Sequence, residues 1–443
     1  MTKRRQYLKQ VGSTAIAMSL LAGCSQGGGE GTTEVDNGGD GAGGTTGSGS
    51  SGVTEGDPLV FGGTVSLTGG LAREGKYTRN GYRIWRDYVN EEYGGIRVDE
   101  NTVRPIKLKL YDDKTSEETA TKLYNKLVTQ DDVDFLLGPY GSSLTLAVAP
   151  IAEKYQIPMV ETNGSSDKIF KQGYKYTYGT LTPASKYFAS TIEFMSKLDK
   201  KPVVEKAGIV HVDSLFTNTI AKGARKKLDE VGIEKAFEVT YPAGTNDLSN
   251  VVSKIKNHDI QLLCAAGHLP EDILLAKQMS SQGVKVPFII MPGNPLAEDY
   301  QTTLKDRAVG CGSVSQWIGN MPIEGPIFGK ARDYYDLYHE KFDVYPYYVP
   351  AESTAGGVAF QLAIENSGTT KPKKVKQALD NLDEMTFYGR LKFSSGKMHG
   401  ANLAKPMGTV QLQGDFPFDL KEQVVVAPDE YDTGEINYPA GTW

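Results

Sequence analysis

The sequence predicts an α/β protein built as two successive series of strands and helices. Three observations lead there. Short apolar runs of buried-strand type alternate with segments whose apolar residues recur every three or four positions. The resulting order, β-α-β-α-β-α-β, fills the first half of the chain and begins again near Lys175. That order requires mostly parallel sheets with helices on both faces. Small polar loops follow the strands, most clearly in residues 133–165, which read strand, Gly-rich turn, helix, strand, loop. Ligands of parallel α/β sheets lie in the crevice outside the carboxyl ends of the strands, so this segment sets two polar loops on the ligand edge.

Residues 59–67 read as the first strand and 68–75 as a loop. The following helix carries Gly81, Ile84, Trp85, Tyr88 and Val89 on one side and stops at Gly94-Gly95. Residues 106–111 alternate as a strand that ends on Asp112-Asp113. The next helix sets Ala120, Leu123, Tyr124, Leu127 and Val128 at i, i+3, i+4, i+7 and i+8. Strand 133–138 breaks at Gly138-Pro139-Tyr140-Gly141. Ser142 and Ser143 then stand where a helix begins. Their hydroxyls, with the free N–H groups of a first turn, suit a bound anion, a carboxylate above all. Pro150 predicts a kink or an off-centre start in that helix. Strand 157–160 leads into the loop Glu161-Thr162-Asn163-Gly164-Ser165.

In the second series 207–212, 236–240, 260–265 and 286–290 read as strands. Helical stripes lie at Ile220 to Val231, ended by Gly232, at Leu248 to Ile255, and at Ile273 to Met279. Residues 326–342, 350–367 and 373–382 read as helices, and strands and turns follow Thr386. Two lobes of similar build imply a cleft between them, where pockets are common.

The N-terminus reads as an address. Lys3-Arg4-Arg5-Gln6-Tyr7-Leu8-Lys9 resembles a twin-arginine export signal, and Leu21-Ala22-Gly23-Cys24 resembles a lipobox, in which Cys24 is lipidated. The apolar stretch between them is too short to span a bilayer. A signal peptide over 1–23 and a Gly/Ser-rich tether over 24–57, polar and without apolar periodicity, are expected. The protein would then sit on the extracellular face of the cell membrane, held by its N-terminal lipid.

Removing 1–23 takes away four basic residues and no acid, so the formal charge goes from −6 to −10. That balance argues against nucleic acid as a partner. Besides Cys24 there are Cys264 and Cys311, read as buried thiols in apolar surroundings rather than a disulfide. No H-E-x-x-H, C-x-x-C or GxxxxGK motif is present, the G-x-S-x-G match Gly23-Cys24-Ser25-Gln26-Gly27 falls in the lipobox stretch and not at a strand-to-helix elbow, and the five histidines do not cluster. No catalysis, cofactor or metal site is expected.

The chain from about Pro58 onward resembles the type I periplasmic binding proteins of the branched-chain amino acid class, the solute receptors of ABC importers. The landmarks are Ser66-Leu67-Thr68-Gly69, Asn90 with Gly94-Gly95-Ile96, Tyr111-Asp112-Asp113, and Gly138-Pro139 with the paired serines. Ala149-Pro150, Ile157-Pro158 and the closing Tyr438-Pro439 to Trp443 complete the series. The resemblance implies two Rossmann-like lobes joined by three hinge crossings, with 58–178 plus 315–384 in lobe one and 179–314 plus 385–443 in lobe two. It also implies a small-molecule ligand, closure by hinge bending, and ABC permease and ATPase subunits as partners. A sensory receptor feeding a membrane transducer is the alternative.

Carried over by position, Ser142, Ser143, Asn163, Gly164 and Ser165 match the places that hold a ligand carboxylate. Arg73 and Glu74 lie in the first loop, Phe216 stands where an aromatic lid residue is common, and His268 stands in a ligand-facing loop. The chain departs from the pattern at Met291-Pro292-Gly293-Asn294-Pro295, where amino-acid binders carry an acid for the ligand's ammonium. An ammonium buried without a charge partner is costly. Either Glu74, Glu161 or Glu298 supplies the charge, or the ligand is an amide, a urea-like solute or a carboxylate.

Overall fold

The computed structural model describes residues 53–441; the signal region 1–23, Cys24 and most of 24–57 lie outside the described residues. Two sheets organise the chain. The first holds five parallel strands in the order Ile106–Asp112, Leu59–Val65, Phe135–Leu137, Met159–Glu161 and Thr177–Gly179. The second holds seven, in the order Glu234–Tyr241, Lys206–Val212, Leu262–Ala266, Phe288–Pro292, Gly312–Ser315, Gly408–Leu412 and Gln423–Ala427. Its first five strands are parallel, and the last two add antiparallel. Short connections cannot join parallel neighbours, so helices pass between the strands, as the alternating pattern predicts.

After Gly179 the chain leaves the first sheet for the second. After Ser315 it runs through the helices Ala331–Phe342, Tyr348–Ser367 and Pro372–Asp380, and it rejoins the second sheet at Gly408. Tyr348–Ser367 packs lengthwise on Ala72–Tyr93: the Thr354 hydroxyl donates to Gly81 O at 2.8 Å, and Phe61 stacks edge-on between Trp85 and Phe360. Every residue of that helix from Tyr348 to Ile364 is buried, as expected of a helix that is apolar nearly all round. Cys264 and Cys311 are buried free thiols, as the apolar runs around them predict.

Three elements differ from the sequence reading. Helix Ala72–Tyr93 starts inside the predicted loop, because Ala72, Arg73 and Glu74 are good helix formers. Helix Ala331–Phe342 starts later than predicted, after Phe328 and Gly329 take positive φ. Helix Ser142–Tyr155 runs on through Pro150, which is exposed, so that water can take the carbonyl its ring leaves unbonded.

The ordered body also begins before Pro58. Thr54–Glu55, in the stretch read as tether, pairs with Thr102 and Val103. Backbone pairing needs no apolar side chain, so composition carries no sign of it. Among the described residues no helix is long and apolar enough to cross a membrane.

Candidate functional site

A cavity of about 520 Å³ lies between the loops at the carboxyl ends of the strands of both sheets. Gly70 and Leu71 reach it from the loop after Leu59–Val65, Thr115 and Glu117 from beyond Ile106–Asp112, and Tyr140 to Leu144 from beyond Phe135–Leu137. Asn163 and Ser165 follow Met159–Glu161, and Leu181 and Tyr187 follow Thr177–Gly179. From the second sheet come Ser214 to Phe216, Ala243, Gly244, His268, Pro270 and Glu271, all after strand ends. The rule for parallel sheets thus accounts for nearly the whole lining. Tyr348 and Glu352, from the start of helix Tyr348–Ser367, are the two exceptions.

On the first-sheet side, Gly141 is the N-cap of helix Ser142–Tyr155. Its φ of 94° is left-handed, which glycine adopts without strain, and no side chain caps the helix. The first-turn N–H groups are therefore open to an anion beside Ser142 and Ser143. The Ser142 hydroxyl accepts from Ser166 N at 3.1 Å, which ties the following loop to the helix start. Ser143 is exposed at the cavity. Asn163 donates to Thr162 Oγ1 and Ser353 Oγ, at 2.7 and 3.0 Å, and its buried Oδ1 has no partner. Ser165 lies beside the Tyr187 hydroxyl.

On the second-sheet side, Phe216 sits between two rings. It meets Tyr187 edge-on at 5.5 Å and His268 at 5.9 Å. Burial pushes the His268 imidazole down, against the pull of Glu271 and Glu74. Glu271 is 8% exposed; its Oε1 accepts from Gly244 N at 3.2 Å, and its Oε2 has no partner. The loop after Phe288–Pro292 is turned away from the cavity. Asn294 donates to Asp272 Oδ2 at 2.7 Å and to Gly267 O at 3.2 Å. Gly293, at φ 72°, lies so close to the Tyr348 ring that a Cβ there would overlap it.

The structure brings Ser142, Ser143, Asn163, Ser165, Phe216 and His268 together around the cavity. Glu74 and Gly164 are not among the lining residues. Glu74 lies on helix Ala72–Tyr93 against Arg73, 3.5 Å away. Gly164 gives its N–H inward, to Glu161 Oε2 at 2.6 Å. The two other acids offered for an ammonium are elsewhere: Glu161 is held under its own loop, and Glu298 is exposed at the start of helix Glu298–Leu304. Arg73 reaches across to the second-sheet side, pairing with Asp299 and bonding the Tyr347 hydroxyl at 3.1 Å.

The residues that sequence reasoning missed are Glu352, Glu271, Tyr187 and Tyr348. Glu352 carried a signal. It is the one charged residue between Tyr348 and Ile364, in a helix apolar nearly all round, and such a residue is seldom fully buried unless it is paired.

The periplasmic binding protein family model matches residues 58–415. Similar proteins include Leu/Ile/Val-binding protein homolog 8 of Brucella abortus, 23% identical over 240 residues, which are 53% of this chain and 58% of that protein. Another is the leucine-, isoleucine-, valine-, threonine- and alanine-binding protein of Pseudomonas aeruginosa, 25% identical over 223 residues, with 50% and 57% covered. The chain thus spans less than three fifths of the length of these relatives.

Two solved structures share the fold. The branched-chain amino acid transporter substrate binding protein LivJ of Streptococcus pneumoniae, in complex with isoleucine, has a TM-score of 0.69 at 19% identity over 81% of this chain and 96% of that one. An ABC transporter solute binding protein of R. palustris, in complex with benzoate, has a TM-score of 0.70 at 16% identity over 85% and 98%.

Proposed function

We propose that this chain, which belongs to the periplasmic binding protein family, is a lipid-anchored extracellular solute receptor for an ABC importer. It captures a small polar ligand, a branched-chain amino acid or a related amide or carboxylate, and presents it to the permease. The observation that carries this reading is the cavity lined by strand-end loops of both sheets. A ligand there touches both lobes at once, so its binding energy favours the closed form, which the transporter would read.

In this reading the lobes are 58–178 plus 315–384 and 179–314 plus 385–443. The open helix start at Ser142 and Ser143 takes a ligand carboxylate, with Asn163 and Ser165 beside it, while Phe216 and His268 close from the other lobe. Twin-arginine export and a lipid on Cys24 hold the receptor outside the membrane. It performs no chemistry on its ligand.

The test is a thermal-shift screen of the purified protein against amino acids, amides, urea and small carboxylates. A ligand that binds only the folded state raises the melting temperature by mass action. A saturable rise with one member of the panel is the expected result. No rise with any of them would overturn the receptor reading.

A further inference from the structure

The cavity has an unbalanced set of charges. Glu352, Glu271 and Glu117 line it, and among its described lining residues there is no lysine or arginine. Glu352 is 1% exposed, and its Oε2 has no hydrogen-bond partner; the Oε2 of Glu271, 8% exposed, has none either. Buried carboxyl groups left this way are costly unless something else completes them. Lys405 is a buried cation that acts on Glu352 through its charge. Its ammonium, however, donates to Tyr388 O at 2.7 Å and lies over the Tyr388 ring, and burial pulls it down to about 7. The loop after Phe288–Pro292 offers no acid, since its Asn294 is tied to Asp272.

We propose that Glu352 is the specificity-determining group of the cavity: it pairs with a positively charged nitrogen of the ligand, with Glu271 closing on the same nitrogen from the other lobe. This rests on the solute-receptor reading and narrows it. The ligand is an amine-bearing zwitterion or cation, and a solute that offers only a carboxylate is rejected. The open helix start at Ser142 takes the carboxylate of a zwitterion, so the two charged groups of the ligand meet different partners. Burial, and then the Glu161 carboxyl, push Glu352 well above the usual carboxylate range, while Lys405 acts the other way. A ligand cation supplies the positive partner that this environment withholds.

The experiment pairs each probe with its deamino counterpart. Isothermal titration of the full chain uses L-leucine against 4-methylpentanoate, and L-phenylalanine against 3-phenylpropanoate, with benzoate as a further carboxylate. Glu352→Gln and Glu271→Gln, each checked for an unchanged circular dichroism spectrum, are titrated in the same way. The expected result is an amino acid that binds at least about 100-fold tighter than its deamino partner. Glu352→Gln should remove most of that difference, and Glu271→Gln about tenfold of it.

A carboxylate that binds within about tenfold of its amino acid overturns the proposal and leaves the receptor reading standing. So does a folded Glu352→Gln that keeps the preference. No binding by any probe overturns both.

Discussion

The loop after Met159–Glu161 and the first turn of helix Tyr348–Ser367 each bring a fully buried glutamate to the same side of the molecule. Their treatment is opposite. Glu161 accepts the Gly164 N–H at 2.6 Å and holds its own loop shut. Glu352 lines the cavity with an unpartnered oxygen. Burial raises both carboxyls, but the amides of Gly164 and Asn163 pull Glu161 back to about 8. Each keeps one buried oxygen without a partner, Oε1 in Glu161 and Oε2 in Glu352, but only Glu352 lines the cavity. Burial and a missing partner therefore do not mark a functional acid by themselves; facing the cavity does.

The largest effect expected from this contrast is on stability. Glu161 titrates near 8 in the folded protein against 4.5 for the free side chain. The folded state thus holds a proton that the unfolded state has lost, and stability falls as pH rises from about 4.5 to about 8. Glu161→Gln keeps an acceptor for Gly164 N–H and removes that loss. Denaturant unfolding should show parent and variant nearly equal at pH 4, and the variant ahead by on the order of 4 kcal/mol at pH 9. A difference that does not change with pH would mean that the fold does not hold a proton on Glu161.

Asp380 sharpens the contrast from the other side. Burial works against its charge, but hydrogen bonds from His399, Lys376 and Tyr178 outweigh it and hold the carboxyl at about 2. Its contribution is present above about 3.8, the free value, and is lost as pH falls towards 2. Asp380→Asn should cost about 1–2 kcal/mol at pH 7 and nothing near pH 2, read from urea midpoints at the two pH values. An equal cost at both would mean that the group matters by shape and not by charge.

The smallest effect concerns the anion end. Ser142→Ala removes the acceptor for Ser166 N and should cost about 1 kcal/mol of stability. It should also weaken a carboxylate-bearing ligand about tenfold, measured by titration. Unchanged affinity would show that the backbone N–H groups hold the carboxylate without the hydroxyl.

The sequence made the ligand edge legible because position along a parallel sheet is a property of element order. Once 133–138 and 157–160 read as strands, Ser142, Asn163 and Ser165 had to lie at one edge, and the same logic placed Phe216 and His268 opposite. Glu74 lies off the lining because its predicted loop is the first turn of Ala72–Tyr93, where it sits beside Arg73. Glu352 was missed for a different reason. It reaches the cavity from a helix whose Ser353, 190 residues beyond Asn163, bonds that residue, and it is brought there by packing between helices and not by strand order. Its isolation among apolar neighbours was visible, but what that charge faces is a tertiary fact.

Arg73 links helix Ala72–Tyr93 to Asp299 at the start of Glu298–Leu304, across the mouth between the two sheets, while stacking over the rings of Tyr77 and Tyr347. Asp299 is more than half exposed, so dissolved ions screen that half of the clasp and barely touch the aromatic half. The time a captured solute dwells inside would then shorten as ionic strength rises, down to a floor set by the tyrosines. In the receptor proposed above, the release rate would carry a record of the surrounding salinity.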